Sequence, residues 1–288
     1  LEKREWSFAA TNDSGLVLVA QGGPVVFTDL RGAFASWPLG NPLRSPRILQ
    51  VLPRGRTEYA ALCADLGTDG ELLAVGNDGK HGLQIVLKAL RLRIDNLRAV
   101  ASLPGGRILA LSRSAAGMGV VYSECSPDQL VTKTHTRLHV DQGGEFFVAA
   151  SDDEYLLAAD DCFYRGPLAA RKHQVDETIQ SAAFWHDGHR HHALVASEHR
   201  LWQSRFETEF TALEFDPAAG LLGFTRGGDL ICCRSGGGAV LRLKNDRYQQ
   251  VGDLPPLGEP PLAILPSDQA RGAALVGRYG RILVLDLG

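Results

Sequence analysis

Short apolar runs recur along the chain in pairs, and a polar or glycine-containing turn separates the two members of each pair. The seven pairs are 16–20 with 25–27, 72–75 with 83–87, 108–111 with 119–122, 155–159 with 162–164, 193–196 with 201–202, 221–224 with 230–233, and 273–276 with 282–285. Self-similarity at a period of tens of residues indicates a repeat architecture, and seven units in this chain give about 41 residues each. The pattern therefore predicts seven similar β units.

The third unit shows the plan of a repeat most clearly. Its predicted first, second, third and outer strands are 98–102, 107–112, 118–123 and 130–137. The outer segment is rich in valine and threonine and alternates with charge, which is typical of a half-exposed strand. The inner runs are continuously apolar, as expected of strands buried on both faces. No stretch shows a capped helical period, so the sequence predicts an all-β chain of four-stranded antiparallel units.

Two segments resemble known repeats. Phe215-Asp216-Pro217, Gly220-Leu221-Leu222 and Gly228-Asp229-Leu230 resemble the strand–turn–strand core of WD40-like and related bacterial propeller repeats, and 102–110 is similar. No Trp-Asp dipeptide ends a strand, and no Gly-His pair precedes a first strand, so the resemblance is to the β-propeller superfamily. It implies a seven-bladed β-propeller, with six blades as the alternative because the proline-rich stretch 32–57 is irregular. It also implies a single domain over 1–288, or a piece of a longer protein.

The last unit supplies only three strands before the sequence ends at Gly288. An unpaired sheet edge is a site of unwanted pairing. We therefore expect the N-terminal segment 5–10 to close the last blade as its outer strand.

Composition limits the classes of partner that the protein is expected to bind and its expected cellular location. A net charge of −3 and a pI near 6.3 argue against a nucleic-acid-binding protein. The apolar runs are too short to form a membrane-spanning helix. The five cysteines are scattered and mostly apolar in context, which favours reduced thiols and a cytoplasmic location. Secretion is the alternative, since residues 1–4 resemble the tail of a secretion leader. The excess of arginine over lysine favours a bacterial source.

The predicted connections between second and third strands carry charge. In a propeller such loops emerge on one face, and loops on a rigid scaffold are common binding sites. The predicted partner-binding residues on this face are Lys80, Arg113, Arg200, Arg226, Arg278 and Tyr279. Arginine and tyrosine are enriched at interaction hot spots, so the sequence predicts a non-enzymatic scaffold that binds another protein or protein domain. The plainer interpretation is that hairpin turns are polar because they contact water.

Four histidines lie within the segment 186–192. Histidine is a common ligand of zinc, so His186, His189 and His191 are candidate metal ligands. The alternative is a solvated hairpin turn around Asp187-Gly188. Because no cysteine or carboxylate partner recurs at a suitable spacing, we expect no cofactor.

The chain contains none of the common catalytic motifs. The rival hypothesis is nevertheless a propeller hydrolase, lactonase or lyase with an acidic–histidine site, with or without a metal, at the central channel. Its candidate residues would be Asp78, His81, Asp160, His199 and Asp229. Lectin-like binding would need an equivalent pocket in each blade, and the four tryptophans do not recur at one position per unit.

Overall fold

The computed structural model describes the strands given below and the residues that adjoin them. These adjoining residues are 4–7, 20, 175, 177–178, 199–200, 213, 220, 225–229, 235–236, 245, 255–260, 267, 271, 278–281 and 287–288. Side chains are described at 4–10, 16, 18–20, 26, 173–175, 177–185, 192–197, 199–204, 210–213, 220–245, 247–267 and 271–288.

The chain divides into two compact units. The N-terminal unit comprises Ser7–Asp153, and the C-terminal unit comprises Glu154–Gly288 together with Leu1–Trp6. The strands of the N-terminal unit are β1 (Phe8–Asn12), β2 (Gly15–Val19), β3 (Pro24–Thr28), β4 (Phe34–Pro38), β5 (Arg47–Arg54), β6 (Glu58–Ala64), β7 (Gly70–Asn77), β8 (Leu83–Gln84), β9 (Leu90–Leu92), β10 (Leu97–Ser102), β11 (Ile108–Ser114), β12 (Gly117–Cys125), β13 (Leu130–Leu138) and β14 (Phe146–Ala149).

The C-terminal unit continues the series. Its strands are β15 (Tyr155–Ala159), β16 (Cys162–Arg165), β17 (Arg171–Gln174), β18 (Ile179–His186), β19 (His191–Ser197), β20 (Leu201–Phe206), β21 (Glu209–Ala212), β22 (Leu221–Phe224), β23 (Leu230–Arg234), β24 (Gly237–Lys244), β25 (Arg247–Leu254), β26 (Pro261–Pro266), β27 (Gly272–Gly277) and β28 (Ile282–Asp286). Strands are the only regular secondary structure among the described residues, in agreement with the predicted all-β chain.

The described strands form seven sheets in chain order, and within each sheet consecutive strands pair antiparallel. The exception is β9, which pairs with β7 and makes sheet 2 five-stranded where four strands were predicted. Sheet 1 is β1–β4, sheet 2 is β5–β9, sheet 3 is β10–β13, sheet 5 is β18–β21, sheet 6 is β22–β25 and sheet 7 is β26–β28, while β15–β17 belong to sheet 4. The predicted plan of the third unit is confirmed, including β13 as its outer strand.

Neighbouring sheets meet at their first strands. In the N-terminal unit β1 lies against β5, β5 against β10, and β10 against β14; in the C-terminal unit β18 lies against β22, and β22 against β26. Ser181 Oγ accepts a hydrogen bond from Leu222 N (2.9 Å), and further along β18 Trp185 lies against Gly228, which follows β22. Because later residues of β18 contact later residues of the β22 segment, the first strands of sheets 5 and 6 run in the same direction. Equivalent connections therefore emerge at the same end of these sheets.

Sheet 6 is buried on both faces. Leu230 and Cys232 face a core shared with sheet 5, while Ile231 and Cys233 face a core shared with sheet 7. Successive side chains of a strand point to opposite faces, so a continuous apolar run is what this position requires. The close approach is also visible at Gly223, where a Cβ would lie 2.6 Å from Cβ of Ile264.

The prediction that residues 5–10 close the last sheet was wrong for its strand-forming part. Phe8–Asn12 pair with β2 across a short connection, and β1 is the first strand of sheet 1. Closing a short loop costs little entropy, so local pairing is favoured over pairing with a strand at the other end of the chain. Sheet 7 has three strands among the described residues.

Candidate protein-interaction surface

Each C-terminal sheet has two ends, which carry different connections. At the entry end, the chain enters the first strand, and the second strand connects to the third. The far end carries the connections from first to second and from third to fourth strands. The entry end of sheets 5, 6 and 7 contains residues 199–200, 235–236 and 278–281 respectively.

An exposed arginine lies at the entry end of each of these three sheets. Arg200 precedes β20, Arg234 ends β23, and Arg278 follows β27. The side chains of Arg200 and Arg278 retain 56% and 47% of their accessible surface. Beside Arg278, Tyr279 is among the most exposed large apolar residues described, at 47%. We call Arg200, Arg234, Arg278 and Tyr279 the entry-end group.

A glutamate fixes the connection in sheet 5. Glu177 lies two residues before β18, and its carboxylate accepts hydrogen bonds from Ser197 Oγ and from His199 N (3.1 Å). Arg200 Nε lies 3.6 Å from the other carboxylate oxygen. The hydrogen bond from Ser197, helped by the His199 amide and the charges of His199 and Arg200, lowers the pKa of Glu177 despite partial burial. The Ser197–Arg200 turn is therefore held by an ionised carboxylate.

Sheet 7 repeats this arrangement. Glu259 lies two residues before β26, and its Oε1 accepts hydrogen bonds from the backbone of Tyr279 and Arg281, both at 3.0 Å. A Cβ at Gly277 would overlap the Glu259 carboxylate, so the carboxylate can take this position only because residue 277 is glycine. Both glutamates therefore support the turns beside them, and the neighbouring Arg200 and Arg278 stay about half exposed although each also faces a carboxylate.

The N-terminal residues contact the same end. Trp6 N donates to Arg278 O (2.7 Å), and a Glu5 carboxylate oxygen lies 3.5 Å from Arg278 Nη1. Trp6 is 3% exposed, and its indole Nε1 has no hydrogen-bond partner among the described residues. An exposed ion pair of this kind contributes under about 1 kcal/mol, so Arg278 can exchange Glu5 for another carboxylate at little cost.

The structure places the predicted partner-binding residues at different ends. Arg226 lies in the turn between β22 and β23, the first and second strands of sheet 6, and so at the far end. The prediction that Arg226 lies between a second and a third strand is therefore wrong. The segment before β22 that forms a strand, Glu209–Ala212, is β21 and belongs to sheet 5 as its fourth strand. Arg113 lies where β11 meets β12, a second-to-third connection as predicted. Lys80 lies outside the described residues, after the third strand β7.

Arg234 is the member of the entry-end group that sequence reasoning missed. It pairs with Gly237 across a two-residue turn at Ser235–Gly236. The polar break between the apolar runs 230–233 and 239–241 indicates a turn at this point. It was not recognised as a connection between a second and a third strand, because 230–233 were predicted as the third strand.

Asp229 occupies the far end of sheet 6 and is 2% exposed. Its carboxylate binds Arg242 through two hydrogen bonds, from Nε (2.7 Å) and Nη2 (3.1 Å), and Arg271 Nε from sheet 7 lies 3.8 Å away. The carboxylate of Asp229 raises the pKa of Arg242 through these hydrogen bonds. Asp229 therefore links two strands of sheet 6 to sheet 7.

The described enzyme candidates do not converge. His199 is exposed at the entry end of sheet 5, whereas Asp229 is buried and ion-paired at the far end of sheet 6. Asp78, His81 and Asp160 lie outside the described residues. Burial raises the pKa of the Cys232 thiol to about 12 and that of Cys233 to about 11, so neither is a thiolate nucleophile at neutral pH.

The histidine segment lies between β18 and β19, and residues 187–190 lie outside the described residues. His186 and His191 are paired across these strands, and His189 lies outside the described residues. His192 is buried and stacks on Trp185, with ring centroids 5.3 Å apart. Over the part of the chain that the structure describes, no group of three or more histidine, cysteine or acidic side chains could hold a metal ion. No helix in that part is long and apolar enough to cross a membrane.

Comparison with known proteins identifies the fold and no close relative. No protein-family model matches the sequence, and no curated protein matches it. A chain in the crystal structure of the mitotic checkpoint complex is similar with a TM-score of 0.66 at 8% identity, over 96% of this chain and 86% of that one. Together with the succession of antiparallel sheets, this similarity is consistent with a propeller fold. Such a fold hosts many unrelated functions, so the similarity carries no residue-level role.

Proposed function

We propose that this chain is a non-enzymatic propeller that binds another protein through the entry-end group Arg200, Arg234, Arg278 and Tyr279. The observation that carries the proposal is the recurrence of an exposed arginine at the same end of three consecutive sheets. Arginine and tyrosine supply a large part of the binding energy in many protein interfaces.

The rigidity of the turns supports this function. Glu177 and Glu259 accept hydrogen bonds from the backbones of the turns in sheets 5 and 7, so the arginines and the tyrosine start from fixed backbone positions. A pre-organised surface loses less conformational entropy on binding than a mobile loop does.

The finer architecture is part of the proposal. We infer one propeller domain of seven blades over residues 1–288, which is supported by seven sheets in chain order and by first strands that lie against one another within each unit. Arg113 has the equivalent position in sheet 3 and belongs to the proposed surface of that sheet.

The cellular setting is also inferred. We propose a cytoplasmic protein, because Cys232 and Cys233 are buried thiols on opposite faces of one strand. We propose neither a membrane nor a nucleic acid as partner, since the net charge is −3.

Charge reversal tests the proposed surface. The purified chain, immobilised through a tag, would capture partners from cells of its source, with Arg234→Glu, Arg278→Glu and Arg226→Glu compared with the unchanged chain. Arg226 is an exposed arginine of the same unit at the far end, so it is the matched control. We expect Arg234→Glu and Arg278→Glu each to weaken capture at least about tenfold, and Arg226→Glu to leave it unchanged. Equal loss from all three variants, or from none, would remove the proposed surface.

A further inference from the structure

A proline-rich connection crosses the entry end between sheets 6 and 7. Residues 255–260, with the sequence Pro-Pro-Leu-Gly-Glu-Pro, lead from the fourth strand of sheet 6, β25, to the first strand of sheet 7, β26. Pro255, Pro256 and Pro260 are all exposed. We call residues 255–260 the proline segment. Three exposed prolines therefore lie at the same end of the sheets as the entry-end group.

Burial at the start of the proline segment has a three-residue period. Leu254 and Leu257 are 6% and 0% exposed and belong to the core shared by sheets 6 and 7, whereas the two prolines between them face solvent. A polyproline II helix has about three residues per turn. Proline fixes its own φ at about −65° and restricts the residue before it to an extended backbone. The pattern therefore indicates a short polyproline II stretch with a buried leucine on each side of the two prolines.

Backbone contacts with both sheets hold the proline segment. Gly258 N donates to Ser235 O in sheet 6 (2.8 Å), and Arg278 N in sheet 7 donates to Pro260 O (2.9 Å). Ser235 directly follows Arg234. The proline segment therefore lies between the turns that carry Arg234 and Arg278, two members of the entry-end group.

Arg281 fixes the end of the polyproline II stretch. Its Nη1 donates to Leu257 O (2.7 Å). Gly258 has a φ of +78°, in the left-handed region, so the extended backbone ends there. No described residue donates a hydrogen bond to the carbonyl of Pro255 or Pro256, and proline has no N–H of its own. The two prolines therefore present apolar rings and two hydrogen-bond acceptors from a fixed backbone.

We propose that Pro255 and Pro256 are bound by a groove of the protein partner that is lined with aromatic side chains. The proposal rests on the proposed function, because the prolines lie between turns of the entry-end group, and it adds the chemistry of the partner. Aromatic-lined grooves are a recurrent binding site for polyproline II segments. A tryptophan or tyrosine of such a groove packs its ring on proline and donates to a carbonyl through its N–H or O–H. A segment that is already ordered loses little entropy on binding.

Other occupants fit these prolines less well. A proline ring carries neither charge nor a hydrogen-bond donor, so a polar groove would bury its own groups against the rings without partners. A second copy of this chain would have to supply the aromatic rings. Among the exposed large apolar residues described, Tyr279 is the one that is aromatic. The chemistry therefore favours an aromatic groove on a different protein.

Competition with a synthetic peptide tests the proposal on the unchanged chain. The immobilised full chain captures partners from cells of its source in the presence of decaproline, or of a glycine–serine peptide of equal length. Decaproline adopts polyproline II, whereas the glycine–serine peptide is a flexible coil. We expect an excess of decaproline to reduce the captured amount at least about tenfold and the glycine–serine peptide to leave it unchanged.

Alanine substitutions locate the binding. Pro255→Ala and Pro256→Ala, combined in one chain, remove both rings and keep the two buried leucines, and they should reduce capture at least about tenfold. Pro266→Ala, at the exposed proline that ends β26 at the far end of sheet 7, should leave capture unchanged. The melting temperature shows whether each variant keeps its fold. If the double variant fails to fold, competition on the unchanged chain still decides.

Nuclear magnetic resonance of a chain that contains isotopically labelled proline reports the aromatic contact directly. Ring currents of an aromatic side chain shift the signals of a proline packed on its face upfield. In the complex with the captured partner, we expect upfield shifts at Pro255 and Pro256 and no shift at Pro266.

Three results would overturn the proposal. Capture that decaproline does not reduce would show that the partner has no groove for a polyproline II segment. Unchanged capture by the double alanine variant would show that the two prolines are not bound. Signals of Pro255 and Pro256 that do not move upfield in the complex would show that the groove is not aromatic.

Failure of the proposed function has a different signature. If Arg234→Glu and Arg278→Glu leave capture intact while decaproline and the double alanine variant reduce it, the entry-end group is wrong and the proline segment is right. If the charge reversals abolish capture while decaproline and the alanine substitutions do not affect it, the proline segment is wrong and the entry-end group is right. Capture of no partner by the unchanged chain would overturn both.

Discussion

Asp229 shows how one buried side chain can stabilise two sheets. The carboxylate is almost fully buried, and both of its oxygens are engaged by arginines from sheets 6 and 7. A buried ion pair is weak evidence for stability in itself, but removing one partner leaves the other charge uncompensated. Asp229, one of the candidate residues of the enzyme hypothesis, therefore has a structural role in the fold.

Substitution of Asp229 tests this role. We expect Asp229→Ala to lower the free energy of unfolding by about 2 kcal/mol, less than for a fully buried pair because the Arg242 side chain is 29% exposed. Chemical denaturation would measure it. Asp253→Ala, at an exposed carboxylate of the same sheet, should change stability by under about 0.5 kcal/mol. Equal effects of the two substitutions would contradict the assignment.

Glu177 makes stability depend on pH. Its pKa is lowered in the folded chain, so its contribution is present above the ordinary glutamate value of about 4.3 and is lost as the pH falls through the lowered value. We expect Glu177→Gln to be less stable than the unchanged chain at neutral pH. The difference should disappear in acid, as followed by denaturation at a series of pH values. A gap between the two proteins that is constant from neutral to acidic pH would show that ionisation of Glu177 is not involved.

At the scale of elements, sheets 5 and 6 pack through the aromatic residues at the far end. Trp185 stacks on His192 and on Phe224, with ring centroids 5.3 and 6.1 Å apart, and Tyr248 extends the cluster. Gly228 lies against the indole of Trp185 with φ of +86°, so a Cβ there would be strained and would overlap the ring. The close contact between the two sheets depends on this glycine.

An alanine pair tests the contact. Gly228→Ala should lower the free energy of unfolding by about 2–4 kcal/mol, from the left-handed backbone and from displacement of a packed ring. Gly236→Ala, in the turn at the entry end of sheet 6, meets no atom within 4 Å and should have little effect. A thermal melt of both variants measures this. An unchanged melting temperature of the Gly228→Ala variant would mean that sheets 5 and 6 do not approach each other as described.

The strands were more predictable than their order within a sheet. The described parts of the apolar runs lie in strands, as continuous apolar runs do where a strand is buried on both faces, which is the case in sheet 6. Any two consecutive strands of a sheet give the same pattern, so the pairs in sheets 2 and 6 were predicted as second and third strands. They are instead the third and fourth strands of sheet 2 and the first and second strands of sheet 6. Arg47–Arg54 is a first strand although it lies in the proline-rich stretch 32–57, whose pattern is irregular. The strand tolerates Pro53 because this residue lies near its end.

The entry-end group could be predicted only in part. Arg200, Arg278 and Tyr279 were predicted because polar residues interrupt apolar runs. In sheet 6 the wrong strand order led to Arg226 being predicted in place of Arg234. The supporting role of Glu177 and Glu259 was missed, since a single acidic residue before a strand resembles any surface residue. Their common position, two residues before a first strand, becomes informative only when the first strands are known.

At the scale of the whole molecule, the proposed surface requires the first strands of consecutive sheets to run in the same direction, so that equivalent turns emerge at one end. The described contacts establish this for sheets 5 and 6, where Ser181 meets Leu222 and Trp185 meets Gly228. They establish it for sheets 6 and 7 as well, where Gly258 N donates to Ser235 O at the entry end and Arg271 lies 3.8 Å from Asp229 at the far end. A partner that binds the entry-end group must therefore contact turns far apart in sequence and must leave the far end uncovered.

Site-specific photocrosslinking tests this claim most directly. A photoreactive amino acid would be placed singly at Arg234 and Tyr279 on the entry end, and at Arg226 and Asn245 on the far end, all four being exposed positions of one unit. We predict crosslinks to the same partner from Arg234 and Tyr279 and none from Arg226 or Asn245. Crosslinks from the far-end positions, or from neither end, would contradict the account.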